Sequence, residues 1–375
     1  MRVMIVVTHL LGTGHLARAL TLARAFVAAG DSATVVSGGT AVDHFDAAGV
    51  RLEQLTPLRS DGTDFTTLLQ SDGKVADDKL LLERQTRLLK ILAEVRPDIL
   101  ITELFPFGRR ILRAEFQVLL EAAQMMQPRP AILSSIRDIL APPSKPRKVA
   151  FADEIIAQFY DGVLVHADPE VVTLQQSWPV SDALKARLHY TGFVAQKPAS
   201  SSAGQSQQVL VSAGGGNVGD AVFLAACKAA PHLPELQWLL LVGGSDERRA
   251  ALTDLASSNV SIEAPSPAFR EMLMSAAASV SMVGYNTALD LLQTGVPAVL
   301  VPFDDGAEVE QGLRAEALAA LPAIKVILQQ DLTATALVDG VNAVMAAGRR
   351  PLRTQGMNGA TMAVNIAHDL REATA

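Results

Sequence analysis

Cysteine is almost missing from this chain of 375 residues, and aromatic residues are scarce. The single cysteine, Cys227, excludes an intrachain disulfide and a cysteine-based metal cluster. It lies in an apolar helical stretch, where a small buried side chain is expected. Aromatic residues make up 5%, so the cores should consist of Ala, Leu and Val, as in helix-covered parallel sheets.

A basic surplus and a long apolar run are also lacking. The net charge of −7 argues against a nucleic-acid partner, which needs a basic face. No apolar run reaches the roughly 18 residues of a membrane span. The apolar residues 3–7 are too few for a secretion signal and precede polar Thr8 and His9. The sequence therefore predicts a cytoplasmic protein with at most peripheral membrane contact.

Short β-branched segments alternate with helical stretches along the chain, which predicts an α/β fold with doubly wound parallel sheets. The predicted strands span residues 3–7, 33–37, 51–55, 99–103, 131–136, 163–166, 209–212, 238–242, 260–263, 279–283, 298–301 and 324–328. The predicted helices span residues 15–29, 79–95, 109–126, 220–230, 247–256, 269–277, 287–293, 309–318, 335–346 and 359–371.

A polar, serine-rich stretch without periodicity divides the chain and is predicted to be a linker. The predicted organisation is a first domain at 1–195, the linker at 196–208, a second domain at 209–355 and a C-terminal helix within 356–375. Segment 57–78 also has no period, and we expect a long loop of the kind that binds ligands.

A glycine-marked turn, residues 12–18, follows the first predicted strand and opens a helix. Its G-T-G-H-L-A fits a loose dinucleotide pattern, but the second strand ends without the carboxylate that binds a ribose, which argues against NAD. Gly12 and Gly14 clear space beside His15, with Arg18 one turn later. His15 is therefore predicted to be a general base or to contact the ligand; capping of the helix is the alternative.

Polar residues also follow two other strands of the first half. Glu103 ends one strand, and Arg137 and Asp138 follow another. Carboxyl ends of parallel strands share one edge of a sheet, so these residues are predicted to line the same cleft as His15. A solvated loop position is the alternative for each carboxylate.

The second half contains glycine-rich turns of its own. Gly214, Gly215 and Gly216 follow a strand and are predicted to expose N–H groups to a phosphate or sugar; a flexible connector is the alternative. Gly284 opens a helix in which Asn286 or Thr287 would cap the start. Asp290 farther along would bond a ribose or stabilise the helix dipole. Anion sites in both halves predict a cleft between two domains.

One longer motif resembles a known family. The run G-Y-N-T-A-L-D-L-L-Q-T-G-V-P-A-V-L-V-P-F at 284–303, followed by E-Q-G-L-R-A, resembles the donor-site signature of GT-B nucleotide-sugar glycosyltransferases. The branch with the UDP-N-acetylglucosamine transferase of peptidoglycan lipid synthesis is the most similar, together with predicted bacterial glycosyltransferases. The start, G-x-G-H-x-x-R, is similar to that branch and to the UDP-sugar hydrolase of pseudaminic acid biosynthesis. The resemblance covers essentially the whole chain.

This resemblance implies the GT-B fold, with two Rossmann-like domains that face a cleft and a C-terminal helix that crosses back to the first domain. It places uracil near Phe269 and ribose at Asp290, where relatives usually carry Glu. The implied donor-binding residues are Gly12, Gly14, Gly214, Gly215, Gly216, Phe269, Gly284, Asn286, Thr287, Asp290, Glu310 and Gln311. The catalytic candidates are His15, Asp138 and Glu103, and the acceptor-side candidates are Arg18 and Arg137.

Two departures from the family narrow the expectation. The lipid-linked branch usually has G-G-T-G-G-H where this chain has L-G-T-G-H, so a lipid acceptor is not implied. Asp304 and Asp305 are adjacent and not spaced as D-x-D, so neither a metal nor a cofactor is expected. Helix dipoles would carry the phosphate charge instead.

The predicted activity is metal-independent transfer of GlcNAc or a related hexose from a UDP-sugar. The acceptor is unidentified and would be a small molecule, a polysaccharide or a lipid-linked sugar. Three alternatives stay open: a UDP-sugar hydrolase in which His15 activates water, a UDP-sugar 2-epimerase, and a non-catalytic nucleotide-sugar sensor. The epimerase would need more acid and base groups, and an ionisable residue between two half-sites argues against the sensor.

Overall fold

The computed structural model describes residues 1–10, 13–42, 47–60, 67–196, 206–214, 218–304 and 309–374. It divides into two compact units, Met1–Val194 with Asn358–Ala375, and Ala195–Met357. Most of the predicted linker, 197–205, lies outside the described residues. The same is true of Gly12, Gly215, Gly216 and Asp305, and of part of the predicted loop, 61–66.

The first unit contains a sheet of seven described strands, all parallel, with helices in the connections. The strands are β1 (Arg2–Val7), β2 (Ser32–Ser37), β3 (Arg51–Gln54), β4 (Ile99–Glu103), β5 (Ala131–Arg137), β6 (Gly162–His166) and β7 (Leu188–Tyr190). The helices are α1 (Gly14–Ala28), α2 (Asp78–Val95), α3 (Arg113–Gln124), α4 (Pro146–Phe159) and α5 (Asp182–Lys185). The strand order is β3-β2-β1-β4-β5-β6-β7.

The second unit repeats this architecture with six described parallel strands. They are β8 (Gln208–Ser212), β9 (Gln237–Leu241), β10 (Val260–Glu263), β11 (Ala278–Ser281), β12 (Ala298–Leu300) and β13 (Ile324–Val326). The helices are α6 (Asp220–Ala229), α7 (Asp246–Thr253), α8 (Phe269–Ser275), α9 (Tyr285–Thr294), α10 (Glu310–Ala319) and α11 (Ala334–Ala347). The strand order is β10-β9-β8-β11-β12-β13.

The order of strands reverses once in each sheet. In the first unit β1 pairs with both β2 and β4, and Val6 lies opposite Thr102. In the second, β8 pairs with both β9 and β11, and Ser212 lies opposite Ser281. Connections leave such a pair of strands toward opposite faces of the sheet, which opens a ligand crevice at the carboxyl ends. The doubly wound α/β prediction is confirmed.

The last helix, α12 (Gly359–Ala373), belongs to the first unit. Its Ala363, Val364 and Ala367 are buried in the same core as α1 and the central strands. His368 of α12 contacts Asp31, Nε2 to Oδ2 at 2.7 Å, just beyond the end of α1. The small apolar stripe therefore packs the C-terminal helix against the first unit, although the chain reaches it from the second.

Several local elements differ from the sequence prediction. Helix α4, whose apolar face carries Ala152, Ile155 and Ile156, was not predicted, because a proline-rich stretch precedes it. The short α5 and β7 were also not predicted, because they have too few residues to show a hydrophobic period. The predicted helix 109–126 begins as a 3-10 turn, Arg110–Leu112, followed by α3. The predicted loop 57–78 contains isolated antiparallel bridges from Leu69 to Arg59 and Val75.

Replacing Gly295 by alanine should destabilise the second unit. Gly295 ends α9 with a φ of 63°, and an added Cβ would lie 2.2 Å from the carbonyl oxygen of Arg350. The left-handed conformation alone costs a non-glycine residue about 1–2 kcal/mol, and the backbone contact adds to it. Urea unfolding should therefore show a loss of at least about 2 kcal/mol.

The matched control is Gly312→Ala within α10, where no atom lies within 4 Å of an added Cβ. That variant should gain up to about 1 kcal/mol, because alanine restricts the unfolded chain. Equal effects of the two substitutions would contradict the close approach of Arg350 to Gly295.

Candidate functional site

The first cluster of polar side chains lies at the switch point of the first unit. His15 is the second residue of α1, which follows β1, and Glu103 is the last residue of β4. Since β1 and β4 are neighbours, their carboxyl ends bring these two residues together. The adjoining elements add Arg18 from the second turn of α1 and Arg137 from the end of β5.

His15 contacts Glu103 directly. The ring Nδ1 lies 2.8 Å from Glu103 Oε1, and Arg18 Nη2 also bonds that oxygen. The Glu103 side chain is 1% exposed and that of Arg18 is 5% exposed, whereas the imidazole keeps 12%. The helix cap is Thr13, which makes no side-chain cap bond. The histidine ring therefore binds a carboxylate and does not cap α1.

The protonation states follow from burial and charge. Burial disfavours the Glu103 carboxylate, but its electrostatic interactions with His15 and Arg18, the hydrogen bond with His15 and the charge of Arg109 together hold its pKa far below the ordinary value. Burial also lowers the pKa of His15, from 6.5 to about 4, although Glu103 opposes the shift. At neutral pH the carboxylate can only accept, so the Nδ1–H of a neutral imidazole donates to it. The other ring nitrogen, Nε2, then carries a lone pair.

Two further arginines face this pair. The charges of Arg109 and Arg137 both act on His15 and lower its pKa. Arg109 stands between β4 and α3 with a φ of 57°, and its Nε donates to the carbonyl oxygen of Thr8 at 2.6 Å. Sequence reasoning missed Arg109. The available signal was its place shortly after β4, the strand that ends at Glu103.

The other predicted residues of this unit occupy different surroundings. Arg18 was predicted on the acceptor side, but it is buried and its guanidinium contacts Glu103. Asp138 is buried just after β5, with 2% of the residue exposed. The carboxylate in contact with His15 is that of Glu103. Gly14 opens α1, and no atom lies within 4 Å of a Cβ added there.

The second cluster lies at the switch point of the second unit. Gly214 follows β8 with a φ of +83°, and Gly284 follows β11 as the N-cap of α9. An added Cβ at either glycine would meet nothing within 4 Å. The first intrahelical bond of α9 runs from Ala288 N–H to the Gly284 carbonyl oxygen. The N–H groups of Asn286 and Thr287 precede it in the first turn, where backbone donors suit an anion.

The start of α9 differs from the capping alternative. The helix begins at Tyr285 and no side chain caps it, so Asn286 and Thr287 occupy its first turn instead of its cap. Asn286 is exposed and Thr287 is half-buried. An uncapped helix start preserves the donor N–H groups that a capping side chain would occupy.

Asp290 lies farther along α9 and pairs with Arg270 of α8, Oδ1 to Nε at 3.0 Å. Burial raises the pKa of Asp290 to about 6, against the opposing charge of Arg270. Phe269, the neighbour of Arg270, begins α8 and is half-buried. The ion pair therefore brings the predicted nucleobase and ribose residues onto adjacent helices. Sequence reasoning did not single out Arg270.

Helix α10 begins with Glu310 and Gln311, and Gln311 contacts the segments that follow β11 and β12. Gln311 Oε1 accepts hydrogen bonds from the backbone N–H groups of Val283, at 2.9 Å, and Phe303, at 3.2 Å. Arg314 Nη1 donates to the Val283 carbonyl oxygen at 3.1 Å. Glu310 is buried, with 9% exposed. The amide oxygen of Gln311 thus joins the segments that follow β11 and β12, a role that the motif did not indicate.

Two wider features concern the described residues as a group. They contain no set of three His, Cys, Asp or Glu side chains arranged for a metal ion, and metal independence stays a prediction. Within the same residues, no helix combines the length and apolar character that crossing a bilayer needs.

Comparison with known proteins adds a family and a fold. Residues 211–370 match the glycosyltransferase family 28 C-terminal domain, and no curated protein matches the chain. MurG of Acinetobacter baumannii is similar in structure, with a TM-score of 0.63 and 14% identity over 98% of this chain and 100% of that chain. The calicheamicin glycosyltransferase CalG4 has a TM-score of 0.62 and 17% identity over 100% of this chain and 95% of its own.

A third solved structure was determined with a nucleotide. The spinosyn rhamnosyltransferase SpnG complexed with thymidine diphosphate has a TM-score of 0.61 and 17% identity, over 100% of this chain and 96% of that chain. The two parallel sheets and these likenesses define a GT-B fold. Residues 211–370, which span most of the second unit and part of α12, match the C-terminal domain of glycosyltransferase family 28, and the structural likeness extends the GT-B fold to the whole chain.

Proposed function

We propose that the protein transfers a hexose, GlcNAc or a close relative, from a UDP-sugar to an acceptor hydroxyl without a metal ion. The observation that carries the proposal is the His15–Glu103 pair, with Nδ1 and Oε1 2.8 Å apart. A neutral imidazole fixed through Nδ1 presents Nε2 as a general base. The acceptor is a small molecule, a polysaccharide or a lipid-linked sugar. The single cysteine is compatible with a cytoplasmic location.

In the proposed reaction, the acceptor oxygen forms a bond to the anomeric carbon as its proton passes to His15 Nε2. The bond between the anomeric carbon and the diphosphate oxygen breaks, and UDP leaves with the electron pair. Glu103 keeps the imidazole oriented and stabilises the imidazolium that forms. The proton is later released to solvent, so the base is regenerated.

The donor would bind the second unit. The N–H groups of Asn286 and Thr287 suit the diphosphate, whose charge grows as UDP leaves. Gly214 leaves space for the same group, since an added Cβ there would meet nothing within 4 Å, and its own N–H donates to Ser212 Oγ at 3.3 Å. Phe269 is proposed to stack on uracil, and Asp290 to bind the ribose. Glu310 and Gln311 are the proposed contacts of the sugar hydroxyls. The support for these roles is the family 28 match over residues 211–370 and the uncapped start of α9.

The deciding experiment incubates the protein with a panel of UDP-sugars and dTDP-sugars, with and without cell extract, and measures free nucleotide and free sugar. Nucleotide release that needs extract, with no free sugar, supports transfer. Release of nucleotide and sugar without extract identifies a hydrolase, in which water takes the place of the acceptor. Binding without turnover in any mixture identifies a sensor, and a changed donor sugar identifies an epimerase.

Asp290→Ala should weaken UDP binding about tenfold or more, since a hydrogen bond to a charged group contributes about 1.5–3 kcal/mol. Isothermal titration calorimetry measures the change. Because burial raises the pKa of Asp290 to about 6, wild-type affinity should also fall as the pH drops through that value. Asp290→Glu, the side chain of relatives, should restore most of the affinity. Asp339→Ala, an exposed carboxylate on α11, is the control; equal affinities of both alanine variants would remove the ribose role.

A further inference from the structure

We propose that Arg18 is a positioning residue that offsets the charge of Glu103, so that this carboxylate orients His15 without drawing a second proton onto the ring. The proposal deepens the function above and rests on His15 as the base. Its effect on the imidazole is measurable in the resting protein, without turnover.

The first step concerns what Glu103 would do alone. Its Oε1 lies 2.8 Å from His15 Nδ1, and 1% of the side chain is exposed. A carboxylate this close to an imidazole favours the imidazolium, by about 1–3 pH units in proton affinity. An imidazolium at rest has no lone pair to accept a proton. A carboxylate that orients the imidazole therefore also favours its protonation, and the ring stays a neutral base only if a nearby positive charge opposes that effect.

Arg18 lies where its positive charge opposes the effect of Glu103 on His15. It follows His15 by three residues on α1, which puts both side chains on one face of the helix. Its Nη2 bonds the same Glu103 oxygen and lies 3.3 Å from His15 Nδ1. Because Nδ1 carries the proton given to Glu103, Arg18 does not bond the ring. Its contribution there is a positive charge that disfavours a second proton.

The other charged and titratable groups around the pair act in known directions. Arg109 and Arg137 lower the pKa of His15 from the β4–α3 connection and the end of β5. Burial lowers the pKa of His9 and brings that of His166 on β6 to about 3, so both are neutral at pH 7. Arg18 bonds the Glu103 oxygen directly. It therefore acts on the carboxylate that orients His15, and through that carboxylate on the ring.

A double-mutant cycle read by NMR titration of the His15 ring tests this assignment. Arg18→Met should raise the pKa of His15 by about 1–3 and move the acid limb of kcat/KM for the acceptor, at saturating UDP-sugar, upward equally. Glu103→Gln should move the pKa the opposite way. The double variant removes both charges and should return near wild type. Arg18→Lys, which keeps a cation, should shift the pKa less than Arg18→Met, and His368 serves as an internal reference.

A purely structural Arg18 predicts something else: weaker folding and lower activity in Arg18→Met with an unchanged His15 pKa and an unchanged pH profile. That result would overturn the proposal. If Arg18→Met does not fold, the double variant still decides, because a His15 pKa well above wild type there would contradict charge cancellation. Should the pKa move as expected while His15→Ala retains full activity, the positioning role stands and the proposed base is wrong.

Discussion

Replacing His15 by alanine is expected to lower kcat for sugar transfer by about 10²–10⁴-fold, the usual contribution of a positioned general base. UDP affinity should change little, because the proposed nucleotide contacts belong to the other unit. Stopped assays that quantify UDP release, together with calorimetric binding of UDP, measure the two quantities. His232→Ala, at an exposed position, is the matched control and should leave both unchanged.

The pH profile gives the same prediction an independent check. Since burial lowers the pKa of His15 to about 4, kcat/KM for the acceptor should stay on its plateau until the pH falls to about that value, provided that the UDP-sugar is saturating so that the titration of Asp290 does not enter. The acid limb should not appear near 6.5, the ordinary value for histidine. Between pH 6.5 and about 4 the unfolded chain binds more protons at His15 than the folded chain does. The contribution of His15 to the free energy of unfolding therefore falls as the solution is acidified.

Two outcomes would assign His15 differently. Activity near wild type in His15→Ala would make the ring structural and leave Asp138 or Glu103 as the candidate base. A large loss of UDP affinity would instead make His15 a neighbour of the diphosphate. Both outcomes leave the fold and the family 28 domain untouched.

The positions of both sites follow from features that a sequence exposes. Gly14 and Gly284 each stand between an apolar run and a helical period, and such turns in a parallel sheet fall at the carboxyl ends of strands. Placing Glu103 beside His15 needed only a polar residue at the end of a second strand. Strand order then decides which ends are neighbours, and the β1–β4 pairing supplies that information.

The contacts among side chains could not be read in the same way. Arg18 was predicted on the acceptor side because helical spacing places it near His15 without saying which residue it contacts. Its burial against Glu103 depends on the tertiary packing that brings α1 close to the end of β4. Arg270 and Asp290 are 20 positions apart on two helices, and only packing of α8 on α9 joins them. Local periodicity contains no information about such pairs.

A buried ion pair supports the first unit near the carboxyl ends of β2 and β3. Arg84 of α2 binds Glu115 of α3 through two bonds, Nε to Oε2 at 2.9 Å and Nη2 to Oε1 at 3.0 Å. Its Nη1 donates to the carbonyl oxygens of Gly38, at 3.1 Å, and Thr56. Arg84 and Glu115 are 1% and 3% exposed. One guanidinium thus joins two helices to the segments that follow β2 and β3.

Arg84→Met should therefore destabilise the protein by about 3–5 kcal/mol, because it leaves Glu115 charged and buried without its partner. Thermal or urea unfolding followed by circular dichroism measures the loss. Glu115→Leu should cause a similar loss for the converse reason. The double variant should lose less than the sum of the two by about 1–3 kcal/mol, since no uncompensated charge is left. The two carbonyl bonds of Arg84 remain absent, so the recovery is partial.

The control lies on the same helix. Lys79 and Glu83 form an exposed pair at 3.9 Å, and Lys79→Ala should change stability by less than about 0.5 kcal/mol. Additive losses from Arg84→Met and Glu115→Leu would mean that the two charges are not coupled. A loss in Arg84→Met as small as that of Lys79→Ala would mean that water reaches Glu115.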